Sequence, residues 1–230
     1  YPKEMRTVPS SEFPRHHRLW SRIQSETSCE DLAHDHLHVL RVYDWALVLA
    51  PEASADVDLT GAAALVHDLV NIPKEHRDRP LGSERSAEAS RGLLSAAGYS
   101  SEEISTIVEA VRTCSWSRGL PPTNPIGTVL QDADRLDAIG AIGIARTFAT
   151  AQAMTSRGQN GRFYDPDSPI PGDGRPLNDR KQPVDHFYAK LLKLSATMHT
   201  KTAQREAARR HARMEQFLAD LSEELSSEQV

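Results

Sequence analysis

The sequence predicts an all-α fold, and three observations carry that reading. Apolar residues recur at three- and four-residue spacing along most of the chain. The stretches 35–50 and 60–69 show none of the two-residue alternation of a half-buried strand. Serine, glycine and proline fall where helices start and stop.

The elements follow in order. Residues 1–14, with Pro2, Pro9 and Pro14, read as an extended arm. A short helix over 15–25 carries Leu19, Trp20 and Ile23 on one side, so that 1–25 stand as an N-terminal arm before the main domain. His16 and His17 read as a solvated pair. Residues 35–50 form a strong helix with Leu37, Leu40, Leu47 and Val48, closed by Pro51, because proline disfavours helix in the residue before it. His34 and His38 share one face of this helix, and Arg41 lies one turn beyond. Thr60 is a candidate N-cap for a helix reaching about Leu69.

Residues 71–82 are a charged connection bounded by prolines. Ser83 can cap a helix over 83–96, ended by Gly98. Ser100 or Ser101 with Glu103 resembles a capping box opening the helix 102–113, whose apolar side is Ile104, Ile107, Val108 and Val111. After the break at Pro121, Pro122 and Pro125, the span 127–153 reads as one long helix. Gly140 and Gly143 within it cost roughly 1 kcal/mol each against alanine, which close approach of another helix would offset. Residues 156–185 mix glycine, proline and aspartate; loops this long are usually lids, binding loops or disorder, and this one is expected to cover the pocket or make a subunit contact. Helical pattern returns at His186 with Phe187, Leu191, Leu194 and Met198. A last helix over 202–225 carries Met214, Phe217, Leu218, Leu221 and Leu225. The reading is a single domain over 26–225, with the long loop at 156–185 and C-terminal helices over 186–225.

Composition narrows the function. The chain has 230 residues, 39% hydrophobic and 26% charged, which suits an ordinary globular protein. A net charge of −5 argues against general nucleic-acid binding, while leaving room for a local basic pocket. The two cysteines, Cys29 and Cys114, lie far apart without metal-type spacing, as in a reduced, cytoplasmic protein. No apolar run approaches the roughly 20 residues of a membrane helix, and residues 1–20 are too polar for a signal peptide.

The chemistry gathers at Ala62-Ala63-Ala64-Leu65-Val66-His67-Asp68-Leu69. Adjacent ionisable groups ending an apolar run are costly to bury unless something pairs with them. A divalent metal pairs with an imidazole and a carboxylate together. Other segments offer further ligands: His34, Asp35 and His38 before it, Asp132, Asp134 and Asp137 after it. Two imidazoles and two carboxylates suit manganese, iron, zinc or cobalt, with magnesium less apt.

Spaced histidine, then His-Asp, then aspartate resembles the HD superfamily of metal-dependent phosphohydrolases, an all-helical fold. The stretch His-Asp-His-Leu-His-Val-Leu-Arg-Val (34–42), the pair His67-Asp68, and the block Asp-Ala-Asp-Arg-Leu-Asp-Ala-Ile-Gly-Ala-Ile-Gly-Ile-Ala-Arg (132–146) carry the likeness. They are similar to a small bacterial subgroup of stand-alone HD hydrolases, as are His186-Phe187 and the stretch 190–194. The resemblance covers roughly 30–220 and implies an HD-type helical bundle. It implies metal ligation by His38, His67, Asp68 and one aspartate of the third segment, where Asp134 matches the family position. Residues two apart on a helix project about 200° apart, so Asp132 and Asp134 reach one ion together only if the helix begins after Asp132. Asp132 is otherwise a cap or a hydrogen-bond partner of a ligand. His34 and Asp35 are supporting groups, alternative ligands or helix caps.

The activity implied is hydrolysis of a phosphate ester or anhydride in a small, nucleotide-like molecule by a metal-bound hydroxide, with manganese the foremost metal. Asp68 or Glu75 is the candidate general base. Arg41, Asn71, Lys74, Arg146, His186 and Lys190 are candidate phosphate contacts, each also readable as a surface or structural residue. Relatives in this superfamily differ in chemistry. Three alternatives therefore stand beside the leading one: a pyrophosphohydrolase of nucleoside triphosphates or of an alarmone, a di-iron oxygenase, and a metal-retaining binding or regulatory module. The expected partner is a small phosphorylated metabolite or nucleotide, not a membrane, and a homodimer stays open.

Overall fold

Helices account for nearly all the regular structure of the protein, a computed structural model that describes residues 12–26, 33, 35–73, 76–171 and 174–227. Among these residues there is no strand, as the sequence predicts. Three candidate site residues, His34, Lys74 and Glu75, lie outside the described residues, as do Cys29 and most of the N-terminal arm. The rest divides into two compact units, one up to Arg135 and one from Leu136.

The first unit begins with α1 (Pro14–Glu26), which buries Leu19, Trp20 and Ile23. His16 overturns its reading as a solvated residue: it is 0% exposed. It falls one turn before Leu19 and Trp20, on the apolar stripe itself, and packs inward with them. Next comes α2 (His36–Leu49), capped by Asp35, whose carboxylate accepts from the His38 backbone N–H at 2.8 Å. Its partner α3 (Val57–Val66) starts earlier than Thr60. The cap is Asp56, which accepts from the Leu59 N–H at 2.9 Å, and Thr60 lies buried inside the helix. The small side chains of Ala62, Ala63 and Ala64 are fully buried, allowing close packing of the neighbouring helices.

After the 71–78 connection and a 3₁₀ turn (Arg79–Leu81), α4 (Gly82–Ala97) ends at Gly98, whose φ of 95° is the left-handed geometry that glycine accepts readily. Ser83 is not the cap of α4; its hydroxyl donates to the Arg112 carbonyl at 3.2 Å. Helix α5 (Ser101–Thr113) opens with the predicted capping box: Ser100 accepts from the Glu103 N–H, and Glu103 accepts from the Ser100 N–H at 2.7 Å.

The span 127–153 is two helices rather than one: α6 (Pro125–Asp137) and α7 (Gly140–Ser156). Ile139 is extended between them, and both glycines serve the corner. A Cβ on Gly143 would lie 2.2 Å from the Ala138 carbonyl oxygen, so the chain can fold back only with glycine there. Gly140 has a φ of 76°, and a Cβ on it would meet the Arg210 side chain at 2.9 Å.

In the second unit, α7 packs against α10 (Lys201–Ser227), the long final helix. Between them lie α8 (Pro183–His186), a π turn (Phe187–Leu191), α9 (Leu192–Leu194) and a 3₁₀ turn (Ser195–Thr197). The aromatic rings of Phe148, Phe163, Phe187 and Phe217 form one cluster, with Phe163 stacked on Phe148 at 4.5 Å. The described part of the 157–182 loop has no helix but many anchors. Fully buried Asp185 receives both Arg175 Nη atoms, at 2.7 and 2.5 Å, and the Asn178 N–H at 2.7 Å.

Candidate metal centre

Three side chains from three separate segments converge in the first unit. His38, on the first turn of α2, is 1% exposed; His67, the C-cap of α3, is 5% exposed; Asp134 comes from α6. The Nε2 atoms of the two histidines are 3.2 Å apart. Asp134 Oδ1 lies 3.7 Å from the first and 3.9 Å from the second. One donor atom from each residue fits within 4.8 Å of the others.

Local hydrogen bonding sets what His67 can do. Its Nδ1 is 2.8 Å from the Ala64 carbonyl, which can only accept, so Nδ1 carries the proton. In the neutral ring the lone pair then sits on Nε2, facing His38 and Asp134. A ring nitrogen tied to a backbone carbonyl while the other faces inward is the usual support of a ligating histidine. The residues therefore fit a divalent cation: two buried imidazole nitrogens and a carboxylate oxygen form the mixed donor set that suits manganese, iron, zinc or cobalt.

The surroundings are charged and partly buried. Burial pushes the Cys114 thiol well above its usual value, and the negative charges of Asp134 and Asp68 push the same way. Arg135 is pulled down by burial, against the opposing pull of Asp132 and Asp134. Its Nη2 donates to Gln131 Oε1 at 2.6 Å, while Gln131 Nε2 donates to the Thr113 and Leu120 carbonyls at 2.8 and 3.0 Å. That relay fixes the chain leading from α5 to the face of α6 that carries Asp134.

Other predicted site residues fall as follows. Asp68 follows His67 and is half-buried, yet it is not one of the three clustered residues. Asp132 lies within α6, which begins before it, so the condition for sharing an ion with Asp134 is not met; it is fully buried. Asp35 caps α2. Arg41 is half-buried on α2. Asn71 Oδ1 accepts from Arg79 Nη1 at 3.0 Å.

In the second unit, Arg146 Nη1 donates to Asp137 Oδ2 at 2.8 Å, and His186 Nδ1 is 2.9 Å from Asp179 Oδ2. Lys190 lies in the π turn that follows α8. Gln131 and Arg135 were not singled out from the sequence. Their position one turn before and one residue after Asp134 on a buried helix was the available signal.

An all-helical scaffold with two buried imidazoles and a carboxylate facing one point defines a class, the helical domains that bind divalent metals. The chain belongs to the HD-domain family. The HD domain model matches residues 36–139, from the start of α2 past Asp134. The uncharacterized protein YpgQ of Bacillus subtilis is 34% identical over 212 residues, covering 90% of this chain and 91% of its own. A crystal structure of YpgQ in complex with ADP superposes with a TM-score of 0.66 at 32% identity, covering 91% of this chain and 97% of that one. A Lactobacillus plantarum protein has a TM-score of 0.73 at 27% identity, covering 96% and 100% of the two chains. An HD-superfamily hydrolase from Bacillus thuringiensis has a TM-score of 0.63 at 30% identity, covering 94% and 97%. Among the described residues, no helix is long and apolar enough to cross a membrane.

Proposed function

We propose that this protein is a metal-dependent phosphohydrolase acting on a phosphate ester or anhydride of a small nucleotide. The observation that carries the reading is the convergence of His38, His67 and Asp134 within 4.8 Å. Family membership supports hydrolysis, and the ADP held by the YpgQ relative supports a nucleotide. His38, His67 and Asp134 hold the cation, with Asp68 joining them or facing the substrate. When bound there, a divalent cation supplies Lewis acidity towards a phosphoryl oxygen and lowers the pKa of water.

The chain's own groups do the rest. Asp68, half-buried beside His67, takes the proton from the attacking water as the new P–O bond forms and the bond to the leaving group breaks. Glu75 is the second candidate for that proton. Arg41, Asn71 and Lys74 hold the outer phosphate oxygens. Arg146 and His186 are engaged with Asp137 and Asp179, so a phosphate would have to displace a carboxylate to reach them.

The test is a panel of nucleoside mono-, di- and triphosphates with manganese, zinc, iron or magnesium, scored separately for phosphate and pyrophosphate. Phosphate release that depends on the metal and is lost in His67→Ala is the expected result. Pyrophosphate release assigns the anhydride-cleaving alternative. Metal binding without turnover of any member would refute hydrolysis of this substrate class.

A further inference from the structure

His16 is fully buried, and each of its ring nitrogens meets a different helix. Nδ1 is 2.9 Å from the Tyr43 hydroxyl on α2, and Nε2 is 2.7 Å from the Asp58 carbonyl on α3. The carbonyl can only accept, so Nε2 carries the proton and, in the neutral ring, Nδ1 accepts from the Tyr43 hydroxyl. The imidazole thus stands between α2 and α3 as a spacer of fixed width. Gly61 of α3 makes room for it: a Cβ there would sit 2.3 Å from His16 Cε1. Asp58 also places its Oδ1 3.1 Å from Nε2. Arg15 pairs with that same carboxylate and, at 2.9 Å, with Glu103 of α5. A ring held at both nitrogens and pressed against a glycine has little freedom to shift.

Those same two helices carry the imidazoles of the candidate metal centre. His38 precedes Tyr43 on α2 by little more than one turn, and His67 caps α3 with its Nδ1 on the Ala64 carbonyl. Any change in the α2–α3 spacing moves the two Nε2 atoms, now 3.2 Å apart, relative to each other. Site geometry must be held to about 0.5 Å to be productive. We propose that His16 is a positioning residue for the His38 and His67 pair, acting through Tyr43 on one helix and Asp58 on the other. The proposal rests on the metal reading of that pair.

Manganese affinity of the full chain, measured by titration calorimetry well below the unfolding temperature, tests it. His16→Ala should weaken binding at least tenfold, and His16→Gln, which keeps a donor and an acceptor, should recover part of the loss. Gly61→Ala should weaken binding too, because its methyl displaces the ring. Combined with His16→Ala it should add little, since the two changes remove one contact. Leu19→Ala is the control: it opens a void at an equally buried position of α1 and should lower the melting temperature while leaving the manganese Kd unchanged.

Should His16→Ala fail to fold, His16→Gln and Gly61→Ala carry the test. Wild-type Kd in the His16 and Gly61 variants, or an equal loss of affinity in Leu19→Ala, overturns the positioning role and leaves the metal reading intact. A wild-type chain that binds no manganese or other divalent metal overturns the metal reading, and the positioning role with it.

Discussion

Replacing Asp185 by asparagine should release the long loop of the second unit. Its carboxylate is 0% exposed and accepts three hydrogen bonds, two from Arg175 and one from the Asn178 backbone. Arg175 is itself largely covered, with its side chain 17% exposed, and its Nε also donates to the Ser168 carbonyl. Removing one partner of a buried pair typically costs about 3–5 kcal/mol, because the other charge stays buried and uncompensated. The amide of asparagine can keep one acceptor oxygen, and Arg175 can turn partly to water, so the expectation sits at the lower end, about 3 kcal/mol.

Two assays read this outcome. Urea unfolding should show the lower midpoint with little change in slope. Limited proteolysis should show faster cleavage within 157–182. The double change Arg175→Met and Asp185→Leu should recover much of the loss, since an apolar pair leaves no buried charge. A single variant within 1 kcal/mol of wild type, with unchanged proteolysis, refutes the view that this carboxylate organises the loop.

Gly143→Ala should destabilise by about 3 kcal/mol by urea unfolding, because its Cβ meets a backbone carbonyl that cannot move aside cheaply. Asp58 is penalised by burial, yet hydrogen bonds from His16 and Arg15 more than offset this and hold its carboxyl below its usual value. The backbone hydrogen bond at Ser100, with Arg15, does the same for Glu103. Groups lowered in the folded state contribute stability above the unfolded value near pH 4, and that stability is lost as pH falls through the folded value. Arg15→Gln should therefore flatten the acid limb of a stability–pH curve, and an unchanged limb would contradict the clasp. Cys114, buried and with its thiol pushed up, should react with a thiol reagent at pH 8 far more slowly in the native Cys29→Ser protein than in urea; equal rates would place it elsewhere.

Much of the fold was legible because its signals are local. The capping box at Ser100 and Glu103, the glycine after α4 and the apolar stripe of α10 all follow from neighbours in sequence. The corner between α6 and α7 was not, because Gly140 and Gly143 continue a helical period across it. Only the fold-back onto Ala138 and the approach of Arg210 reveal why they are glycines. The burial of His16 was not legible for a related reason. Burying a histidine on an apolar stripe is costly unless its nitrogens find partners, and those of His16, Tyr43 and Asp58, lie on other helices. His38, His67 and Asp134 were legible as ligand types, with the family likeness supplying their order. Their convergence needed the tertiary structure.

The central claim is that His38, His67 and Asp134 hold one divalent cation. Manganese titration of wild type and of His38→Ala, His67→Ala and Asp134→Ala, each checked for native helix content, tests it most directly. The account predicts saturable binding in wild type, weakened at least about 100-fold in every single variant, since loss of a ligand exceeds the effect of losing its supporting partner. Wild-type affinity in any one of the three folded variants would contradict it.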